Sequence, residues 1–152
     1  VSGLVIPGGE SSALLKLMEP WSWLQAIRDF VASSGAVMGT CAGAILLANK
    51  VVPHQDSLGL IDVSIHRNAY GRQIDSFVDS GAIVSERIQG STMPLVFIRA
   101  PRIVSVGPDV EVLVRHTEEA VAVQCGSVTL ATFHPELTDD GRLHRAFLDT
   151  VN

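Results

Sequence analysis

The stretch AVMGTCAGAIL, residues 36–46, constrains this chain more than any other. An apolar run ends at Gly39, Cys41 follows two residues later, and Gly43 then opens a helix-forming run. A G-x-Cys-x-G turn between a strand and a helix forces its central residue into a strained backbone conformation, and the flanking glycines let the two elements approach without Cβ clashes. The helix N-terminus that follows favours an anion, which suits a thiolate at Cys41. The amide of Ala42 then faces the place where an oxyanion develops. The same five residues also fit a small buried cysteine between packing glycines. On this pentapeptide both readings stay open.

The surrounding segments supply the frame for such a turn. SGLVIPGG reads as a short buried strand breaking at Pro7-Gly8-Gly9, after which Ser11 or Ser12 is placed to cap a helix through Leu17. Pro20 interrupts that helix, and a second pattern carries Trp23, Leu24, Ile27, Phe30 and Val31 on one face up to Ser34-Gly35. AVMG is a second strand and AGAILLANK a second crossover helix. Beyond Pro53, segments such as IDVSIH, GAIVSERI, LVFIRAP, VEVLVRH, AVAVQC and VTLATF read as strands, and DDGRLHRAFLDTV closes as a helix. The order predicts one α/β domain over residues 1–152, a three-layer arrangement with a mostly parallel central sheet flanked by helices, to which the later strands add antiparallel pieces.

Composition removes several functions. The longest apolar run is about five residues, Ala44 to Ala48, against the roughly 18 needed to cross a bilayer, so no membrane span is expected, and no signal peptide either. A net charge of −5 offers no basic stripe for a phosphate backbone, which disfavours nucleic acid as a partner. Cys41 and Cys125 are far apart and form no CxxC pair. Neither a disulfide framework nor a metal site is expected, and a reducing, cytoplasmic compartment fits best.

A nucleophilic thiol needs a base. Of five histidines, His134 in ATFHPEL stands at the end of an apolar strand with Glu136 two residues on. Its carboxylate can accept from one imidazole nitrogen while the other faces a thiol. His54, His66, His116 and His144 lack comparable context. In PGGESS, consecutive glycines expose backbone amides suited to an oxyanion hole, and Glu10 is an acid able to meet a substrate ammonium or amide. An ordinary strand-to-helix turn is the plainer alternative. A glycine turn, a cysteine elbow and a His-x-Glu each follow a predicted strand, and in a parallel sheet such strand ends converge at one edge.

PGGESS, GTCAG, RNAYGRQ, FIRAP and FHPEL, in this order, resemble the triad (class I) glutamine amidotransferases and, within them, the family of glutaminase subunits of pyridoxal 5′-phosphate synthase. The resemblance spans essentially the whole chain. It implies a flavodoxin-like fold with Cys41 as nucleophile, His134 as acid/base and Glu136 orienting it. It further implies glutamine contacts from Gly9, Glu10, Ser11, Arg67, Ile98 and Arg99, with Gly9 and Ala42 as oxyanion amides. The implied reaction hydrolyses L-glutamine to glutamate and ammonia through a thioester. The ammonia passes to a partner synthase subunit that builds pyridoxal 5′-phosphate, and no cofactor is implied for this chain itself.

The resemblance also implies an N-terminal strand and helix that this sequence does not contain, so the domain is expected to be N-terminally incomplete and poorly stable or inactive alone. Two other readings are a different cysteine-elbow enzyme, such as a γ-glutamyl hydrolase or a DJ-1-like protein, and a non-catalytic regulatory module of the same fold. The His-Pro-Glu after the elbow argues against the first and the apparent triad against the second.

Overall fold

Parallel pairing of three short strands organises the molecule. In the computed structural model, which describes residues 1–67 and 76–151, β1 (Gly3–Ile6) and β10 (Val128–Ala131) flank β2 (Ala36–Thr40), each running parallel to it. The sheet continues antiparallel through β9 (Glu119–Cys125), β8 (Glu111–His116), β5 (Ser76–Ile83) and β6 (Thr92–Ile98), in the order β1-β2-β10-β9-β8-β5-β6. The expected α/β class holds, with helices flanking a central sheet. The antiparallel share is larger than "mostly parallel" suggests, because the hairpins β5–β6, β8–β9 and β9–β10 leave no room for crossover helices. Pro94 lies in β6, a terminal strand of this order, where a missing amide donor costs no ladder bond. A second sheet, β3 (Ala48–Val52), β4 (Ile61–His66) and β7 (Arg102–Val106), packs on one face.

Alternation along β2 divides the core. Val37 points to a cluster shared with Ile6, Val123 and Leu130, together with α1 (Ser11–Met18), α2 (Trp23–Ala32) and α3 (Ala42–Leu47). Ala36 and Met38 point to the opposite cluster with Leu95, Phe97, Phe133 and, from α4 (Arg142–Leu148), Leu143, Ala146 and Phe147.

Three local expectations are corrected. The crossover helix ends at Leu47, not Lys50, because Ala48 turns extended (φ −61°, ψ 152°) and the β-branched pair Val51-Val52 joins β4 instead. The first helix is capped by Glu10, whose carboxylate accepts from the amides of Ser12 (3.2 Å) and Ala13 (2.8 Å); neither Ser11 nor Ser12 is the cap. On α2, Leu24, Ile27 and Val31 face the core, whereas Trp23 is 51% exposed. The 3-10 turn Glu19–Trp21 between the helices places Pro20 where it was expected to interrupt.

The tightest packing lies where α3 crosses β1 and β2. A Cβ on Gly43 would overlap the carbonyl oxygen of Ile6, and one on Gly39 would lie 2.5 Å from the Gly43 oxygen. These obstacles are backbone, which cannot rotate aside. Gly43→Ala should therefore lower the urea midpoint by the equivalent of upward of about 2 kcal/mol at unchanged m-value. Gly141→Ala, where no atom lies within 4 Å of the new Cβ, should change stability by less than about 0.5 kcal/mol. Equal midpoints for the two variants would contradict the crossing argument.

Candidate active site

The parallel registers bring three turns to one edge. Ile6 lies beside Gly39, and Thr40 beside Ala131, so the residues that follow β1, β2 and β10 leave the sheet together. Pro7-Gly8-Gly9, Cys41 and His134 are those residues.

Cys41 heads α3 at φ +48° and ψ −106°, a strained conformation for a residue with a side chain. Its amide donates to the Ala131 carbonyl (2.9 Å) and its carbonyl accepts from Ile45, tying the elbow to β10 and to the helix. The side chain is 6% exposed, and its Sγ donates towards the Ile98 carbonyl at 3.7 Å. The expected strained elbow is thus present. Ala42 is the first residue of α3.

His134 follows β10, and its amide donates to the Val96 carbonyl (2.8 Å), which locks it to β6. Its Nδ1 lies 2.6 Å from Glu136 Oε1, within the short 3-10 turn Pro135–Leu137. The ring is 12% exposed and its pKa is raised from the ordinary 6.5 to about 9. The largest cause is its hydrogen bond with the Cys41 side chain; burial opposes the shift and Glu136 adds to it. Cys41, His134 and Glu136 therefore form one connected row.

Gly8 lies against both His134 and Cys41 and was not among the expected site residues. A Cβ there would overlap His134 Cε1 and stand 3.4 Å from the Cys41 Cβ, so only glycine lets this turn lie against both side chains. The signal available was its place as first of two glycines after a strand. Gly9 adopts φ +140°, with open space where its Cβ would be.

Glu10 is engaged as the α1 cap and also accepts from the Ser12 hydroxyl. Its pKa is held below the usual carboxylate value, first by that hydroxyl, then by the Ala13 and Ser12 amides, with a smaller contribution from the Arg67 charge. Ser11 is buried and turned away from the helix end; its Oγ donates to Gln55 Oε1 (3.0 Å). Arg67 Nη1 donates to the same oxygen (2.6 Å), and its Nε to the Pro53 carbonyl (3.1 Å). Ile98 sets its carbonyl against the Cys41 sulfur and is followed by Arg99 in the left-handed region at φ +46°. In RNAYGRQ, residues 68–73 lie outside the described residues. Among the described residues no group of three or more His, Cys, Asp or Glu could hold a metal ion, and no helix is long and apolar enough to cross a membrane.

The chain has relatives among known proteins. A profile of the SNO glutamine amidotransferase family matches residues 1–152. The chain belongs to that family. It is 45% identical over 152 residues to the pyridoxal 5′-phosphate synthase subunit PdxT of Brevibacillus brevis, covering 99% of this chain and 78% of that protein. It is 49% identical over 153 residues to the subunit of the same name from Koribacter versatilis, covering 99% and 77%. A crystal structure of a glutamine amidotransferase superposes with a TM-score of 0.88 at 41% identity, over 99% of this chain and 79% of that one.

The proton on His134 can be followed directly. Because the folded pKa lies above the unfolded one, the pairing contributes its stability in full below about pH 6.5 and loses it as the pH rises through about 9. An NMR titration of the His134 ring should show a midpoint near 9 in the wild type, falling towards 6.5 in Cys41→Ala. An unchanged midpoint in that variant would show that the sulfur is not the principal cause.

Proposed function

We propose that this chain is the glutaminase subunit of a pyridoxal 5′-phosphate synthase, a single domain working in the cytoplasm. It hydrolyses L-glutamine to L-glutamate and ammonia, and the ammonia is delivered to a partner synthase subunit. The observation that carries the reading is the buried Cys41 sulfur at the head of α3, beside a histidine whose proton it holds and whose Nδ1 is paired with Glu136 at 2.6 Å.

The chemistry follows from those positions. Beside the protonated His134, Cys41 attacks the side-chain amide carbon of glutamine as a thiolate. The carbonyl oxygen becomes an oxyanion, for which the amide of Ala42 at the helix start and that of Gly9 in the open turn are the donors. Glu136 holds Nδ1, stabilises the imidazolium and fixes the ring orientation. His134 then gives its proton to the departing nitrogen, which leaves as ammonia, and a γ-glutamyl thioester remains on Cys41. Water enters, loses a proton to His134 and attacks the thioester; the sulfur leaves as a thiolate beside the re-protonated His134 as glutamate is released.

Recognition of the amino-acid end needs opposite charges at a fixed spacing. Arg67 suits the α-carboxylate, because a guanidinium presents paired donors to two oxygens. Glu10, kept ionised by its helix-cap bonds, suits the α-ammonium, and Ser11, Ile98 and Arg99 complete the glutamine contacts. The two cysteines, both free, fit a reducing compartment.

Glutamate release from glutamine, measured with the synthase subunit present, tests the reading. Cys41→Ala should reduce it by about a thousandfold or more while the complex still assembles. Turnover retained by that variant would exclude the thioester route. A wild-type complex that releases no glutamate would favour a regulatory module built on the same fold.

A further inference from the structure

One polar side chain beside this site has no task in the reaction as described. Gln55 stands between β3 and β4, two residues after Pro53, and its Oε1 accepts from both Ser11 Oγ (3.0 Å) and Arg67 Nη1 (2.6 Å). A guanidinium has no acceptor, so the atom facing Nη1 has to be the amide oxygen, and the orientation of the carboxamide is thereby fixed. Its Nε2 is buried and finds no partner among the described residues. A buried amide with an unmatched donor is a poor structural filler, since an apolar side chain of the same shape would leave nothing unpaired. What this position gains from glutamine is a neutral oxygen that accepts two donors at once.

Those two donors belong to the substrate-binding side of the site. The Arg67 backbone amide donates to the Val52 carbonyl (2.8 Å) and its Nε to the Pro53 carbonyl (3.1 Å). Nε and one Nη1 hydrogen are thus engaged on protein oxygens, and the end of the guanidinium through Nη1 and Nη2 keeps paired donors for a carboxylate. Its charge contributes, as the smallest of the causes, to holding the Glu10 carboxyl down, which sets Arg67 on the same side of the molecule as the double-glycine turn. Ser11, the other donor, is the residue directly after Glu10. A neutral acceptor holds the guanidinium without cancelling its charge, whereas a carboxylate in the same place would compete with the substrate.

We propose that Gln55 is the positioning residue for glutamine recognition, setting the Arg67 guanidinium for the substrate α-carboxylate and tying it through Ser11 to the catalytic turn. The inference rests on the glutaminase reading above. Gln55 acts through Arg67 and touches no reacting atom, so its loss weakens capture of glutamine and leaves the chemical step intact.

The test compares wild type, Gln55→Leu and Gln55→Glu as complexes with the synthase subunit, on L-glutamine and on L-glutaminamide, in which the α-carboxylate is an amide. On glutamine, Gln55→Leu should raise KM about tenfold while kcat stays within about twofold. Gln55→Glu keeps both hydrogen-bonded positions but adds a competing charge, and should raise KM at least as far. On L-glutaminamide, both variants should match the wild type in KM. If the leucine variant does not fold, the near-isosteric glutamate variant decides by the same comparison. Equal losses on both substrates, a fall in kcat alone, or an unchanged KM for glutamine would each overturn the role of Gln55 while leaving the glutaminase intact. A wild-type complex without glutamate release would overturn the glutaminase reading and the role of Gln55 with it.

Discussion

The contact between the Gly43 backbone and the Ile6 carbonyl governs the rest of the structure. Only glycine lets α3 descend onto β1 at that point, and the descent leaves a single residue, Cys41, to turn the chain from β2 into the helix. That residue adopts φ +48° as a consequence. The same closeness brings the turn after β1 under the sulfur, where Gly8 lies against Cys41 and His134 together. Strain at Cys41 is a property of the crossing, held by the Ala131 carbonyl on one side and the first turn of α3 on the other.

Electrostatics then follow from position. A cysteine at a helix head and a histidine at the end of a neighbouring parallel strand meet because the strands run the same way and are paired in register. Their hydrogen bond is the main reason the imidazole holds its proton to about pH 9, against a burial that disfavours the charge. Glu136, two residues on, needs no distant element to place it, since the turn starting at Pro135 folds it back onto Nδ1. The row from sulfur to carboxylate thus depends on one tertiary contact and one local turn.

Much of this was legible in the sequence because it is local. GTCAG announces a strained elbow, FHPEL carries the paired histidine and carboxylate within three residues, and PGG marks an exposed turn. What escaped depends on partners distant in the chain. The apolar run AGAILLANK looks helical throughout, but β4 recruits its last part as a strand. By type only the two serines were caps, yet Glu10 takes the place, and the Ser11 hydroxyl is drawn instead to Gln55, 44 residues away. Gln55 itself sits in VVPHQDS, a stretch without periodicity or motif, and its importance arises only where Ser11 and Arg67 converge on one oxygen. The antiparallel half of the sheet was visible as strands but not as an order, since alternation reports a face and not a neighbour.

The central claim is that the folding of one elbow makes Cys41, and not Cys125, the attacking atom. Peptide mass mapping of the synthase complex after exposure to a glutamine analogue bearing an electrophilic diazoketone in place of the side-chain amide tests it most directly. The account predicts a single adduct, on Cys41, suppressed by excess L-glutamine, with Cys125 unmodified. An adduct on Cys125, or labelling of Cys41 that glutamine does not suppress, would contradict it.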